Sequence, residues 1–143
     1  MIHHISLAVS NPPHVAEILS KMLGGSAHRF SIIPGAYMVF TGDEAGTTIE
    51  VYPVETELIP GEEDAPVSFQ QTQCIASYSA THAAISIKLS ESEVLAIAEK
   101  EGWRSRRFRR GTFDVIEFWI ENRVMLEFLT PEMAADYLKI HCR

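Results

Sequence analysis

Hydrophobic and polar residues alternate from Ile2 to Val9, with Ile5, Leu7 and Val9 on one face and His4, Ser6 and Ala8 on the other. A period of two is the mark of a half-buried strand. The pattern then turns helical: Val15, Ile18, Leu19 and Met22 form one stripe, Asn11 stands at the cap, Pro12 and Pro13 suit the first turn, and Gly24-Gly25 end it. Strand-like segments follow at Arg29 to Ile33, Ala36 to Thr41 and Thr47 to Tyr52, separated by Pro34-Gly35 and by Gly42 to Gly46.

From residue 81 the same order returns. Ala83, Ile85 and Ile87 take one strand face and His82, Ala84 and Ser86 the other; Ser90 with Glu93 makes a capping box, Val94, Ile97 and Ala98 supply a helical stripe, and Gly102 closes it. Strand-like segments run from Arg104 to Arg109, Phe113 to Ile120 and Arg123 to Leu129. Adding 78 to a position carries His4 onto His82, Leu7 onto Ile85, Leu19 onto Ile97, Gly24 onto Gly102 and Phe40 onto Phe118, and an offset of 77 takes Glu50 to Glu127. Two copies, each with several strands, predict a paired-module α+β domain and not a solenoid. We therefore read 1–143 as a single domain: a first module over 2–54, a linker or lid over 55–80, a second module over 81–130, and a helix in 131–143 that packs Met133, Tyr137 and Leu138.

The repeat changes the standing of four side chains. A lone His at a strand start is ordinarily a hydrogen-bonded or surface residue, and a lone Glu in a strand ordinarily faces water. Here His4 and His82 share the face of small residues, and Glu50 and Glu127 alternate with Ile49, Val51, Leu126 and Phe128, which bury against a helix. Two imidazoles and two carboxylates from matched positions imply one divalent ion with room left for water or substrate oxygens. Such a set suits Ni, Zn, Co, Mn or Fe, and the histidines disfavour calcium. His3 lies on the opposite face without a counterpart, and His3, His14, His28 and His141 are read as structural or exposed.

Composition narrows the partners. With 46% hydrophobic residues in 143, a core forms without disulfides. No apolar run approaches the roughly 18 residues of a membrane span, and Met1 leads directly into a strand pattern, so a soluble, cytoplasmic chain without a signal peptide or membrane contact is expected. A net charge of -7 speaks against nucleic acid and leaves a small-molecule substrate. Cys74 and Cys142 lack the spacing of a zinc site and read as reduced thiols. Five arginines crowd into 104–110; Arg107 and Arg109 are candidates to grip a substrate carboxylate or phosphate, while the plainer reading is a charged edge strand that discourages aggregation. Tyr52 shares the face of Glu50 and is a candidate hydrogen-bond donor to substrate.

The segments Ile2 to Val9, Thr48 to Tyr52, Thr81 to Ile87 and Val124 to Leu129 resemble the vicinal oxygen chelate superfamily of glyoxalases, bleomycin resistance proteins and dioxygenases, over about residues 2–130. The resemblance implies two βαβββ modules forming a curved mixed sheet around a metal cavity, with ligands His4, Glu50, His82 and Glu127. It implies a substrate that offers the ion two neighbouring oxygens, and Glu127 or Glu50 as a base that takes a proton beside a carbonyl. A homodimer is expected by the same resemblance. The leading expectation is a lyase or isomerase. A non-haem Fe(II) ring-cleaving dioxygenase needs two histidines and one carboxylate and leaves Glu50 surplus. A resistance-type binding module without catalysis needs no ligand set at all. Two departures bear on the substrate: Ile120-Glu121-Asn122-Arg123 replaces the Asp-Pro-x-Gly turn of many relatives, and the 55–80 segment is longer than in compact glyoxalases.

Overall fold

The computed structural model describes residues 2–75 and 77–141, apart from the side chain of His141. The expectations for Cys142 and for the His141 side chain therefore fall outside the described residues. The chain forms two compact units, Met1–Ser77 and Tyr78–Arg143.

In the first unit β1 (His4–Val9), α1 (Pro12–Leu23), β2 (Ser26–Arg29), β3 (Tyr37–Phe40) and β4 (Thr48–Pro53) follow in order. The sheet runs β1-β4-β3-β2, with β1 parallel to β4 and the other pairs antiparallel. Asn11 caps α1 by accepting from the His14 amide at 3.4 Å, and Gly24 ends it in a left-handed conformation at φ 69°. Val15, Ile18, Leu19 and Met22 are buried, as are Leu7, Val9, Ile49 and Val51 on the sheet face that α1 covers. Each such side chain contributes about 1.5–3 kcal/mol to the fold. Gly25 is required by close approach, because a Cβ there falls far inside van der Waals contact with the Phe40 carbonyl oxygen.

The strand expected at Arg29 to Ile33 lies earlier, at Ser26–Arg29. Residues 30–36 instead form a compact turn, in which Phe30 donates its amide to the Ala36 carbonyl at 2.9 Å and Ala36 donates to Ile33 at 3.1 Å. The apolar character of this stretch serves a small cluster of Phe30, Ile33, Ala36 and Tyr52 and not a strand face. Within 55–80, expected as a linker or lid, β5 (Thr56–Ile59) and β6 (Ser68–Gln71) pair as an antiparallel hairpin with Leu58 opposite Phe69.

The second unit repeats the plan with β7 (Ala83–Ser86), α2 (Glu91–Glu101), β8 (Ser105–Arg110), β9 (Phe113–Ile120) and β10 (Val124–Leu129), followed by α3 (Pro131–His141). Its sheet order, β7-β10-β9-β8, is that of the first unit, and β7 is parallel to β10. Ser90 and Glu93 form the capping box, and Gly102 ends α2 at φ 69°. Tyr137 on α3 meets the Phe113 ring edge-on at 5.0 Å and Met133 is buried, whereas Leu138, expected to pack with them, is 52% exposed.

One correspondence of the repeat shifts. Phe40 pairs with Thr48 and Trp119 with Met125, so the counterpart of Phe40 is Trp119 and not Phe118. Phe118 faces the other way, opposite Leu126, and is fully buried, while Phe40 is 41% exposed. The hairpins differ in length on both sides of this strand, so a single offset cannot carry through it. The α+β architecture of two βαβββ modules is the expected one. No helix among the described residues is long and apolar enough to cross a membrane.

Candidate functional site

In the first unit, Ser6 lies directly across the parallel pair from Glu50, with His4 two residues before it and Tyr52 two residues after Glu50. Alternation puts all four on the face opposite α1. His4 is exposed, and its Nε2 stands 3.8 Å from Glu50 Oε2. Glu50 is 9% exposed and its Oε2 accepts two hydrogen bonds, from Ser6 Oγ at 2.8 Å and from the Tyr52 hydroxyl at 2.5 Å. Tyr52 is 5% exposed, stacked against Phe30 at 6.3 Å and met edge-on by Phe69 of the β5-β6 hairpin at 6.1 Å. Burial, then the bond to Glu50, push its phenol up to about 12, so it remains a proton donor across the physiological range.

In the second unit, His82 immediately precedes β7 and its Nδ1 lies 2.9 Å from the Ala80 carbonyl oxygen. Only an N–H can pair with a carbonyl, so Nδ1 carries a proton, and in the neutral ring the lone pair then lies on Nε2. Glu127 sits opposite Ala84 on one side and Glu117 on the other. Arg110 reaches both carboxylates, donating from Nε to Glu127 Oε1 at 3.1 Å and from Nη2 to Glu117 Oε1 at 2.5 Å. The indole N–H of Trp119 donates to Glu117 Oε2 at 3.2 Å. Burial alone raises the Glu117 carboxyl, but the bonds from Arg110 and Trp119 outweigh it and hold it below the usual range.

Arg107 and Arg109 are on the other face. They stand opposite Ile116 and Asp114 in the β8-β9 ladder, which is the side of Phe118 and Leu126. Arg107 donates to Asp114 and to Glu91 of α2, the latter at 2.9 Å, and Arg109 donates to Asp114 at 3.4 Å. These bonds, from Arg107 first, hold the Asp114 carboxyl below its ordinary value. β8 is an edge strand, and this pair reads as its charged armour. The arginine that meets Glu127 is Arg110, which sequence reasoning passes over together with Glu117, Trp119 and Ser6. Strand parity carries the signal, since Arg106, Phe108 and Arg110 alternate with Arg107 and Arg109.

The first unit therefore presents His4 and Glu50 on one sheet face; in the second, Glu127 shares its face with Glu117, and His82 stands just before β7. Among the described residues no group of three or more His, Cys, Asp or Glu side chains gathers that could hold a metal ion. The donor chemistry fits a divalent transition ion: Glu50 Oε1 and Glu127 Oε2 receive no hydrogen bond from a described residue, and the His82 ring is held with Nε2 open.

No family model and no curated protein matches the sequence. Solved structures do match. Fosfomycin resistance protein FosX from Listeria monocytogenes, crystallised with Mn(II) and sulfate, is 14% identical with a TM-score of 0.61, covering 99% of this chain and 97% of that one. FosX from Mesorhizobium loti is 15% identical with a TM-score of 0.56, covering 94% of each chain. A putative glyoxalase family protein from Bacillus anthracis is 12% identical with a TM-score of 0.56, covering 90% of this chain and 92% of that one. The fold, two mixed sheets each built on a βαβββ module, is accordingly the glyoxalase-type fold that FosX and the glyoxalase family proteins share.

Proposed function

We propose that this chain is a divalent-metal-dependent lyase or isomerase acting on a small substrate that presents neighbouring oxygens. Its proposed ligands are His4, Glu50, His82 and Glu127, and the working form is a homodimer. The observation that supports this most is the matched pair of carboxylates, Glu50 and Glu127, each with one oxygen left open and each on a strand parallel to one that a histidine opens or directly precedes. The neighbours add the chemical class. One Listeria FosX structure holds Mn(II) and sulfate, and that of a mutant form holds Mn(II) with 1S,2S-dihydroxypropylphosphonic acid, which carries hydroxyls on adjacent carbons.

When bound, the ion supplies Lewis acidity toward the substrate oxygens. The chain supplies the rest. Phe30 and Phe69 pack on Tyr52, whose hydroxyl holds Glu50, and whichever of Glu50 and Glu127 is not then held to the ion accepts the proton removed from the carbon beside a carbonyl. Elemental analysis of the purified protein tests the reading: about one Ni, Zn, Co, Mn or Fe per chain is expected, with a marked loss in His82→Ala. Protein that carries no ion and takes none up from any of these salts overturns it.

A second reading is favoured by the FosX neighbours: the substrate is a small phosphonate. Phosphorus NMR of fosfomycin incubated with Mn(II)-loaded protein, beside an assay on an α-keto thiohemiacetal, separates the two. The dioxygenase alternative leaves Glu50 without a task and is tested by oxygen uptake with catechols under Fe(II).

A further inference from the structure

The two candidate carboxylates are braced by unrelated devices that reach the same end state. In the first unit both hydroxyl donors converge on one oxygen, Oε2 of Glu50. A carboxylate oxygen has two lone-pair sites, and Ser6 and Tyr52 fill both. Oε1 is left without a hydrogen bond from any described residue. In the second unit the positions matching Ser6 and Tyr52 by strand register are Ala84 and Leu129, neither of which carries a hydroxyl. The brace comes instead from the edge strand β8, where Arg110 takes one oxygen of Glu127 and leaves the other open.

Arg110 also solves a problem that its own sheet creates. Glu117 and Glu127 are direct cross-strand partners on one face, and like charges so placed repel. The guanidinium joins them, and Trp119 takes the second oxygen of Glu117. Glu117 is thus engaged at both oxygens and Glu127 at only one, which singles out Glu127 as the available donor of the pair.

We propose that Ser6 and Tyr52 in the first unit, and Arg110 in the second, are positioning residues that make Glu50 and Glu127 one-oxygen ligands of the ion. The proposal rests on the metal reading above. It treats the hydroxyls of Ser6 and Tyr52 as holding the Glu50 rotamer, with no contact of their own to substrate. Ligands whose supporting hydrogen bonds are removed typically lose about 10- to 100-fold in metal affinity.

The test is a Mn(II) titration followed by the EPR signal of the free ion, run beside a thermal melt of each metal-free protein. Wild type is compared with Tyr52→Phe, with Ser6→Ala/Tyr52→Phe, with Arg110→Gln and with the hydroxyl-keeping Ser6→Thr. The double variant is expected to bind Mn(II) about 10- to 100-fold more weakly while Ser6→Thr binds as wild type does, a split that a merely structural role does not produce. Tyr52→Phe, which keeps the ring and its packing, is expected to lose about tenfold and carries the test if the double variant fails to fold. Tyr52→Phe binding Mn(II) as tightly as wild type overturns the positioning role. Wild type that binds no Mn(II) shows before any substitution is made, and it overturns the metal reading on which the proposal stands.

Discussion

Replacing Phe118 and Phe40 separately by Ala tests the strand register on which the site faces depend. A repeat with one constant offset makes the two phenylalanines equivalent and assigns them similar costs. The register assigns them opposite faces. Phe118 is fully buried, with Trp103 at 5.7 Å and Phe128 at 5.3 Å, both edge-on. Emptying such a site costs about 4 kcal/mol, in the middle of the range typical of a buried Phe. Phe40 is 41% exposed and touches His28 edge-on at 5.7 Å, so its truncation costs about 1 kcal/mol. Both tryptophans, Trp103 and Trp119, lie in the second unit, so their fluorescence in urea reports on that unit, and far-ultraviolet circular dichroism reports on the whole chain. With a denaturant slope of roughly 2 kcal/mol per molar, Phe118→Ala lowers the fluorescence midpoint by about 2 M and Phe40→Ala lowers the dichroism midpoint by about 0.5 M. Equal losses, or a larger loss at Phe40, refute the register and with it the assignment of Glu117 and Arg110 to the face of Glu127.

Three further outcomes are expected. Gly25→Ala drives a Cβ into the Phe40 carbonyl oxygen and destabilises by about 3 kcal/mol in a thermal or urea melt, because the clash is with backbone. Asn122→Ala removes the bonds to the Arg104 amide at 2.7 Å and the Gly102 carbonyl at 3.0 Å, and leaves Ala at a left-handed φ of 55°; a loss of about 2 kcal/mol is expected by chemical denaturation. Tyr52, with its phenol raised to about 12, is expected to ionise above the ordinary value of 10.0 in an ultraviolet titration, and Tyr52→Phe removes that late step. Since the folded value exceeds the unfolded one, the associated stability is present below pH 10.0 and is lost as pH rises through about 12.

Much of the framework is legible in the chain. The helices start and stop where Asn11, Ser90, Gly24 and Gly102 say they do. The faces of β1, β4 and β10 follow from alternation, which by itself assigns His4, Glu50 and Glu127 to the side away from the helices. Less legible is the stretch 30–36, where apolar residues that suit a strand pack as a turn on Tyr52. The arginine run is also misleading, because five like residues hide their parity until β8 is paired with β9.

Caps, periodicity and duplication are local or nearly local properties, written in spacings of a few residues, and they suffice to place a histidine and a carboxylate in each copy. Which oxygen of Glu50 is open, and which guanidinium meets Glu127, depend on partners brought together across strands by ladder hydrogen bonds. No spacing in the chain encodes that Ser6 and Tyr52 share one atom, or that Arg110 lies between two carboxylates. Those contacts exist only once register is set, since moving one strand by a single residue turns every side chain to the opposite face.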